Sequence, residues 1–499
     1  MESSRPPGGQ ARVFLVFPYD KLGTKGCFPP LSLLYLGTSL ASAGYDVRLF
    51  DADEDNLSLQ ESRMIAAILA QAGSFRPALI GLPVYSMNLR LAYRIVQALR
   101  EASPDWRIVL GGPHPTVMPA ETLSEFPGAD FVLRGEAERS ILGLMKALDG
   151  CGDYSGVAGL SYRSDGKVLH NPDAPLIRDI NQVPFPARQL LQSAYDKGTY
   201  WRIGRKGPLD VMITSRGCPF NCNFCYHMTP GYRARSPESV LDEIAEIRSR
   251  GVRNIDLLDD NFTLDRKRCT RILDFIVREK MGLSLKIRSS VNTVDEELLR
   301  LMKRAGVGAI LYGFESGSET MLRRMGKKAT VKQNARIVEL HDRYKIQCYA
   351  GIIIGYPGET LETLQETRDF LLKVKPTGVN ISIMIPLPGT RAYEEAKADG
   401  TLVGDWSVHA PDPWIRLPWA REYRDYVAVR NKIMKRFMFD PVVVFNLLRY
   451  NFPAMDRRQL RYAIGYYLRF SRMNASSNSG FKLKREEAME YHSRTTGRS

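Results

Sequence analysis

The chain has 499 residues, of which 44% are hydrophobic, so it is long enough for several domains with large cores. It carries 70 Lys and Arg against 55 Asp and Glu, a net charge of +15, and shows no recognised RNA- or DNA-binding motif. We therefore expect a solvated surface with basic patches and no nucleic-acid partner. The start lacks the apolar core of a signal peptide, no run of about 18 apolar residues occurs, and seven Cys fit a reducing compartment. The sequence predicts a soluble, cytoplasmic protein.

After a predicted disordered tail over residues 1–10, residues 11–150 alternate short apolar strands with helices. Strands are predicted at 13–17, 47–50, 78–84, 107–110 and 131–133, and helices at 30–43, 61–73, 89–102 and 137–148. This alternation is typical of an α/β doubly wound parallel sheet, which binds its ligands at the carboxyl ends of the strands.

Residues 151–207 are predicted to be a connector that contains a hairpin about Asp165-Gly166. Its proline-rich part, Val183 to Arg188, is expected to be extended.

Three cysteines lie within eight residues in the segment CPFNCNFC, residues 218–225, which follows an apolar strand at 209–214. Clustered cysteines in a reducing compartment favour metal binding over disulfides. Three thiolates leave one iron of a [4Fe-4S] cluster without a protein ligand. The alternative is a zinc site of the three Cys and His227.

From residue 208 to 395 the strand and helix units become longer, with six strands predicted at 209–214, 254–258, 283–288, 309–314, 347–354 and 380–385. Six such units predict a partial barrel with functional groups at the strand ends. Residues 396–473 are predicted to be helical, with helices at 420–437, 440–450 and 457–472. The apolar stretch from Met438 to Tyr450 is expected to pack over the barrel mouth rather than contact a membrane surface. Residues 474–499 form a predicted basic, disordered tail.

The C-x3-C-x2-C spacing, with an aromatic residue before the last Cys, resembles the signature of the radical S-adenosylmethionine (SAM) enzymes. The resemblance implies that Cys218, Cys222 and Cys225 are catalytic residues that bind a [4Fe-4S] cluster, on which SAM is cleaved to a 5'-deoxyadenosyl radical. Gly351-x-Ile353-x-Gly355 with Glu359, and Gly313-Phe-Glu315-Ser316-Gly317, look like two further elements of this family. The SAM-contacting positions that the resemblance implies are Phe224, Asp259, Asp260, Arg288, Ser289, Glu315, Ser316, Ile353 and Gly355. Asp260 has a second interpretation as a helix N-cap.

The first half is similar to the cobalamin-binding domain that is fused to some radical SAM barrels. The similarity lies in the Pro-Pro-Leu helix start, Gly44-Tyr-Asp-Val with Asp51, Gly111-Gly112-x-His114 and Arg134-Gly135-Glu136-x-Glu138. The cobalamin contacts that it implies are Ser86, Gly111, Gly112, His114, Gly135 and Glu136. The histidine motif that supplies a lower axial ligand in other cobalamin proteins is missing from residues 19–23. We therefore expect no axial histidine.

Together the two halves resemble the cobalamin-dependent radical SAM enzymes, most of which are methylases. The resemblance implies methyl transfer from methylcobalamin to an unactivated carbon or phosphinate centre of a natural-product, pigment or lipid intermediate. The small-molecule substrate radical would be generated by 5'-deoxyadenosyl, and an electron donor such as ferredoxin or flavodoxin is implied. Two alternatives stay open: a non-methylating oxidative cyclase or ring-rearranging enzyme, and a zinc-holding binding module without catalytic activity.

Overall fold

The structure is a computed structural model. It describes residues 11–18, 28–55, 57, 60–150, 152–226 and 231–472. The predicted tails, the loop 19–27 and His227 lie outside these residues. The chain folds into two compact units. The first comprises the described residues of Met1–Trp201, Pro208–Met212 and His227–Val252, and the second comprises those of Arg202–Gly207, Ile213–Tyr226 and Arg253–Ser499.

The first unit contains a seven-stranded sheet with the strand order β2-β1-β3-β4-β5-β6-β7. Its strands are β1 (Arg12–Phe17), β2 (Asp46–Asp51), β3 (Leu79–Pro83), β4 (Arg107–Gly111), β5 (Phe131–Leu133), β6 (Leu160–Ser164) and β7 (Lys167–His170). The first five pair in parallel, so the predicted doubly wound sheet is confirmed. The predicted hairpin is β6 and β7, but it extends this sheet in antiparallel fashion and is not merely part of a connector.

The helices along this part of the chain are α1 (Leu31–Ser42), α2 (Glu61–Phe75), α3 (Leu89–Ala102), α4 (Pro113–Val117), α5 (Pro119–Glu125), α6 (Ser140–Asp149), α7 (Gln192–Asp196) and α8 (Pro237–Ser249). The two short helices α4 and α5 were not predicted. Each begins with a proline, which fits the first helical turn because its missing N–H would have no partner there. The apolar pattern predicted neither helix because each is under eight residues long.

Three short strands follow along the chain, namely β8 (Leu209–Met212), β9 (Ser215–Arg216) and β10 (Arg233–Ala234). The second unit contains the parallel strands β11 (Asn254–Leu257), β12 (Ser284–Ser289), β13 (Val307–Glu315), β14 (Gln347–Ile354) and β15 (Gly378–Ile383), which lie side by side in chain order. A small antiparallel pair, β16 (Leu402–Val403) and β17 (Trp414–Ile415), follows. All six predicted barrel strands, β8 included, are present.

The helices of the second unit are α9 (Arg266–Arg278), α10 (Glu296–Arg304), α11 (Glu319–Arg324), α12 (Val331–Tyr344), α13 (Leu361–Val374), α14 (Arg391–Ala398), α15 (Tyr423–Met438), α16 (Pro441–Asn451) and α17 (Arg457–Arg472). Side-chain N-caps begin several of them: Asp265 caps α9, Asp295 caps α10, and Thr330 and Thr360 form capping boxes at α12 and α13. Such caps satisfy backbone N–H groups that the helix leaves without partners. In the described part of the chain, no helix is both long and apolar enough to cross a membrane.

Candidate active site

The three-cysteine segment is held in the second unit by Asn223, which lies between Cys222 and Cys225. The backbone N–H of Asn223 donates to Met325 O at 3.0 Å, its side-chain amide donates to Arg324 O at 2.9 Å, and its carbonyl accepts from Ala392 N at 2.9 Å. The backbone N–H of Cys225 donates to Cys222 O at 3.0 Å, which closes a turn. Cys218 and Cys222 are half-buried and Cys225 is exposed. The loop is therefore ordered by contacts that leave the thiols themselves accessible.

Asp259, at the end of β11, anchors the chain ahead of the cysteines. It is fully buried and accepts hydrogen bonds from Thr214 N at 2.6 Å and Ser215 Oγ at 2.7 Å. Burial raises the pKa of this carboxyl, and the Thr214 and Ser215 donors act in the opposite direction. Both of its oxygens are engaged with the protein, so Asp259 positions Thr214 and Ser215, and its contact with SAM stays a prediction.

The electrostatics of the three thiols suit a metal cluster. Burial raises the pKa of all three, and neighbouring thiols raise the pKa of Cys225 further, to about 12, together with Asp260 and Glu315. Thiols in such an acidic setting stay protonated unless a metal displaces the proton, as metal coordination does. A cluster distributes its thiolate ligands over several irons, so the three cysteines fit a cluster.

Glu315 ends β13 in an unusual backbone conformation. Its φ of 61° lies in the left-handed region, and the pairing register with β14 shifts between Gly313 and Glu315. Such an irregularity redirects a side chain at a sheet end, and a non-glycine residue in this conformation costs about 1 kcal/mol or more. Lys327 Nζ donates to Glu315 Oε1 at 2.9 Å. Burial disfavours the Lys327 cation, but Glu315 and the nearby thiols outweigh it and raise its pKa.

Gly313 lies directly beneath this ion pair. A Cβ atom at Gly313 would lie 2.0 Å from Glu315 Oε1 and 2.9 Å from Lys327 Nζ. Both atoms are the far ends of flexible side chains, so a Cβ atom at Gly313 would displace the ion pair rather than meet fixed backbone.

The end of β12 carries a group of hydroxyls. Ser289 Oγ lies 2.5 Å from Thr263 Oγ1, which is 2.6 Å from Thr293 Oγ1. Asn261 Oδ1 accepts from this group, while Asn261 Nδ2 is buried without a protein acceptor. Arg288 is exposed, it pairs with Leu311 of β13, and its backbone carbonyl accepts from Phe262 N at 3.0 Å. The predicted Ser289 therefore lies in a polar cluster that the sequence did not anticipate.

Asp260 is exposed and close enough to Cys218 and Cys225 to raise the pKa of both. The N-cap interpretation of Asp260 is wrong, because Asp265 caps the following helix by accepting from Arg268 N at 3.0 Å.

The end of β14 is enclosed by aromatic side chains from the C-terminal region. Gly355 has a φ of 86°, and a Cβ atom there would lie 2.7 Å from the Tyr426 ring. Gly355 N donates to Glu359 Oε2 at 2.6 Å, and Trp419 Nε1 donates to Glu359 O at 3.0 Å. Gly355 is thus required by the approach of Tyr426. Three other predicted SAM contacts differ from one another in burial. Ile353 and Phe224 are half-buried, whereas Ser316 is buried and hydrogen-bonded to Thr367 and Ser318.

In the first unit, Ser86 and His114 come together across the ends of β3 and β4. Ser86 Oγ lies 3.0 Å from His114 Nδ1, and both residues are buried. Burial lowers the pKa of His114 to about 4, so the imidazole is neutral at physiological pH. Tyr85 and Met87 flank Ser86 and are among the exposed large apolar side chains. A neutral imidazole and an exposed apolar rim suit a large planar ligand.

The glycines that follow β4 and β5 have structural reasons to be glycine. Gly112 has a φ of 102°, and a Cβ atom there would lie 2.9 Å from Val84 O. Gly135 has a φ of 71°, and its N–H donates to Thr116 Oγ1 at 3.1 Å. Gly111 is half-buried at the end of β4. A close backbone approach therefore favours glycine at position 112, and a positive φ favours it at position 135.

Glu136 is engaged by a partner that the sequence did not identify. Its carboxylate accepts from Arg233 at 2.8 and 2.9 Å and from Ile177 N at 3.1 Å. This bidentate pair is nearly buried, and such pairs are strongly directional. Glu136 is therefore a structural ion-pair partner, and its contact with cobalamin stays a prediction.

Sequence reasoning missed Lys327, Asn223 and Arg233. A basic residue twelve positions after Glu315 carried no motif, Asn223 lies in an irregular segment, and Arg233 lies in β10, a strand of two residues that is too short to predict. For Asn223, the one signal in the sequence was its place between two cysteines of the segment.

Comparison with known proteins identifies the family. Residues 212–371 match the family model described as the radical SAM superfamily, and residues 22–144 match the B12 binding domain. An uncharacterized methyltransferase of Pyrococcus horikoshii is 34% identical over 81% of this chain and 88% of its own length. The chain belongs to the cobalamin-dependent radical SAM family. It is a radical SAM enzyme, which rules out the zinc-holding module without catalytic activity.

Other members of the radical SAM family are also similar. An anaerobic magnesium-protoporphyrin IX monomethyl ester cyclase of Rubrivivax gelatinosus is 29% identical over 95% of this chain and 83% of its own length. The solved structure of the radical SAM enzyme OxsB, with aqua-cobalamin and SAM bound, has a TM-score of 0.69 over 97% of this chain and 75% of OxsB, at 18% identity. The methyltransferase TsrM of Kitasatospora setae, with cobalamin and a [4Fe-4S] cluster bound, has a TM-score of 0.64 over 79% of this chain and 77% of TsrM, at 21% identity. These structures share the fold of this chain. The predicted [4Fe-4S] cluster and SAM agree with its radical SAM domain, and the predicted cobalamin agrees with its B12 binding domain.

Proposed function

We propose that this radical SAM enzyme is a methyltransferase that moves a methyl group from SAM, by way of cobalamin, to an unactivated carbon or phosphinate centre. Its substrate class would be a natural-product, pigment or lipid intermediate. The observation that carries the proposal is the combination of three accessible cysteines in the second unit with a B12 binding domain in the first. Relatives named as methylases support it, among them a cytidylyl-2-hydroxyethylphosphonate methyltransferase and a hopanoid C-3 methylase.

We assign Cys218, Cys222 and Cys225 to the [4Fe-4S] cluster, and Ser86 and His114 to cobalamin. Bound there, the cluster would supply the electron that cleaves SAM into methionine and a 5'-deoxyadenosyl radical, and cobalamin would carry the methyl group. The electron would come from a donor such as ferredoxin or flavodoxin.

The charged groups around the cysteines define what the chain itself contributes. Lys327 is a cation suited to a carboxylate, while Glu315 and Asp260 are anions suited to an amino group. SAM carries both groups, so we assign these three side chains to orienting its amino-acid portion. Asn261 Nδ2, a buried donor without a protein acceptor, is a further candidate because an unpaired buried donor is costly.

Product analysis of SAM turnover tests the proposed reaction. Anaerobically reconstituted enzyme is supplied with a low-potential reductant, with and without cobalamin. We expect cobalamin-dependent S-adenosylhomocysteine together with 5'-deoxyadenosine. Formation of 5'-deoxyadenosine without S-adenosylhomocysteine would contradict methyl transfer.

That second outcome would instead support an oxidative cyclase or ring-rearranging enzyme. The observation that favours this second candidate is the similarity to the magnesium-protoporphyrin ester cyclases, which extends over 95% of the chain in one case.

The assignment of the cluster ligands has its own test. Cys222→Ala should lose bound iron and sulfide and, with them, SAM cleavage. Cys269→Ala is the matched control, because Cys269 is buried in α9 away from the segment and its loss removes only a small core side chain. Intact SAM cleavage by Cys222→Ala would overturn the assignment.

A further inference from the structure

The C-terminal helices expose an unusual concentration of large apolar side chains. Seven of the twelve exposed large hydrophobic residues in the described chain lie between Phe439 and Leu468. On α16 and the residue that follows it, Val442, Phe445, Leu448 and Phe452 are 46%, 60%, 54% and 56% exposed. We call these four residues the apolar stripe. The expectation that this stretch packs over the barrel mouth is wrong for the stripe, since only Val443 and Asn451 of α16 are buried.

The apolar stripe forms one continuous face. Its members are spaced by three, three and four residues, so they project from the same side of the helix. The buried Val443 lies on the opposite side. A surface helix of a globular protein normally turns its apolar face inward and its polar face to water. Here the arrangement is reversed, which indicates that the stripe contacts something apolar outside the chain.

The charge of the residues around the stripe indicates what kind of apolar partner the stripe contacts. Residues 430–472 contain ten Lys and Arg but only two acidic residues, Asp440 and Asp456. This excess of eight positive charges is more than half of the net charge of +15, on less than a tenth of the chain. Lys435 and Arg449 are exposed before and within the helix, and Arg457 is exposed just after it.

The two acidic residues have local functions. Asp440 forms an ion pair with Lys375 at 3.0 Å and caps α16 by accepting from Val442 N at 3.0 Å. Asp456 accepts from Gln459 N at 2.8 Å at the start of α17. Outside this segment, Asp342 of α12 is close enough to Arg449 for the Arg449 cation to act on its pKa, so Asp342 offsets part of that one charge.

We propose that the apolar stripe docks this protein on an anionic lipid bilayer. An apolar helix face bordered by cations lies in the membrane interface, with its apolar side chains between the lipids and its basic ones at the headgroups. Among the described residues no helix can span a bilayer, so the attachment is peripheral. A protein partner of ordinary composition would not account for the excess of positive charge. The inference is independent of the proposed reaction, because no stripe residue belongs to the assigned cofactor sites.

Vesicle sedimentation of the full-length, cofactor-loaded protein tests the proposal. Vesicles of phosphatidylcholine alone are compared with vesicles that also contain about 30 mol% phosphatidylglycerol. We expect the protein to sediment with the anionic vesicles and to be released by salt. The single variants Lys435→Gln and Arg449→Gln each remove one exposed positive charge. Each should bind the anionic vesicles roughly fivefold more weakly than the wild type.

The variant V442S/F445S/L448S should bind anionic vesicles at least about tenfold more weakly. Leu361→Ser is the matched control, because Leu361 is 57% exposed on α13 and carries no comparable basic surroundings. It should bind as the wild type does, and all of these variants should cleave SAM normally.

Three outcomes would overturn the proposal. The first is that the wild type binds neither vesicle, and the second is that the triple variant binds as tightly as the wild type. Concentration-dependent dimerisation that the triple variant abolishes, measured by analytical ultracentrifugation, would assign the stripe to a second copy of the chain instead.

Discussion

Lys327 Nζ contacts the carboxylate of Glu315 at 2.9 Å, and this pair rests on the bare backbone of Gly313. Glu315 has a left-handed backbone, and Lys327 follows α11, so two separate segments bring opposite charges together beside the cysteines. The strained backbone of Glu315 at the end of β13 therefore holds one of the two charges of this pair in the candidate SAM site.

The first prediction concerns the stability that this pair contributes. Lys327→Met should lower the free energy of unfolding by about 2 kcal/mol, because it leaves a nearly buried carboxylate without its partner. Lys328→Met removes the same charge from the adjacent, exposed position and should cost much less. In a urea-denaturation double-mutant cycle, the double variant Lys327→Met/Glu315→Gln should cost less than the sum of its single changes. Additive costs would mean that the two side chains do not interact.

The second prediction concerns Gly313. Gly313→Ala should displace the Glu315–Lys327 pair and weaken SAM binding, with a loss of stability of about 1 kcal/mol or less, because the atoms that the new methyl group overlaps are the ends of flexible side chains. Gly351→Ala on the neighbouring strand is the control, because its Cβ atom would meet Tyr312 O at an ordinary 3.5 Å. Isothermal titration with SAM and thermal unfolding measure both effects. Equal behaviour of the two variants would count against the close approach at Gly313.

The third prediction concerns pH. Burial raises the pKa of Glu359 to about 8, against the weaker opposing effect of the hydrogen bond from Gly355 N. The folded protein therefore holds a proton that the unfolded chain releases near its ordinary pKa of 4.5. Stability from this group is present below pH 4.5 and is lost as the pH rises to about 8.

Glu359→Gln keeps an acceptor for Gly355 N but cannot ionise. It should match the wild type near pH 5 and exceed its stability near pH 9 by about 2 kcal/mol, as measured by urea denaturation. Glu362→Gln, on the exposed side of the same segment, should show no such gain. A wild-type advantage at high pH would show that Glu359 ionises without cost.

The fourth prediction separates structure from cofactor binding in the first unit. Arg233→Met should destabilise the protein by about 3 kcal/mol, because Glu136 would stay buried without its bidentate partner. The double variant Arg233→Met/Glu136→Gln should recover part of this loss and bind cobalamin within about twofold of the wild type. His114→Ala, by contrast, should bind cobalamin more weakly in an absorbance titration. Loss of cobalamin binding in the double variant would instead make Glu136 a ligand.

The fold was largely predictable because both units repeat strand and helix at regular intervals. Buried strands such as Val13 to Phe17 read as short apolar runs, and the helices between them carry caps and apolar periodicity. The prediction failed where elements are short or where a segment joins a distant sheet. Helices α4 and α5 were missed, and the hairpin β6–β7 was taken for a connector although it extends the first sheet.

The sequence by itself determined the chemistry of the cofactor segment, because cysteine spacing and glycine-rich strand ends are local features that can be recognised without the fold. Only the tertiary structure decided which polar side chains remain available there. Asp259 turns inward to Thr214 and Glu136 pairs with Arg233, whereas Lys327 arrives beside Glu315. The physical reason is that a carboxylate's partner depends on which distant donor the packing brings within about 3 Å, and no local pattern encodes that distance. The same holds for the apolar stripe of α16, whose composition resembles that of a buried helix until packing leaves one face exposed.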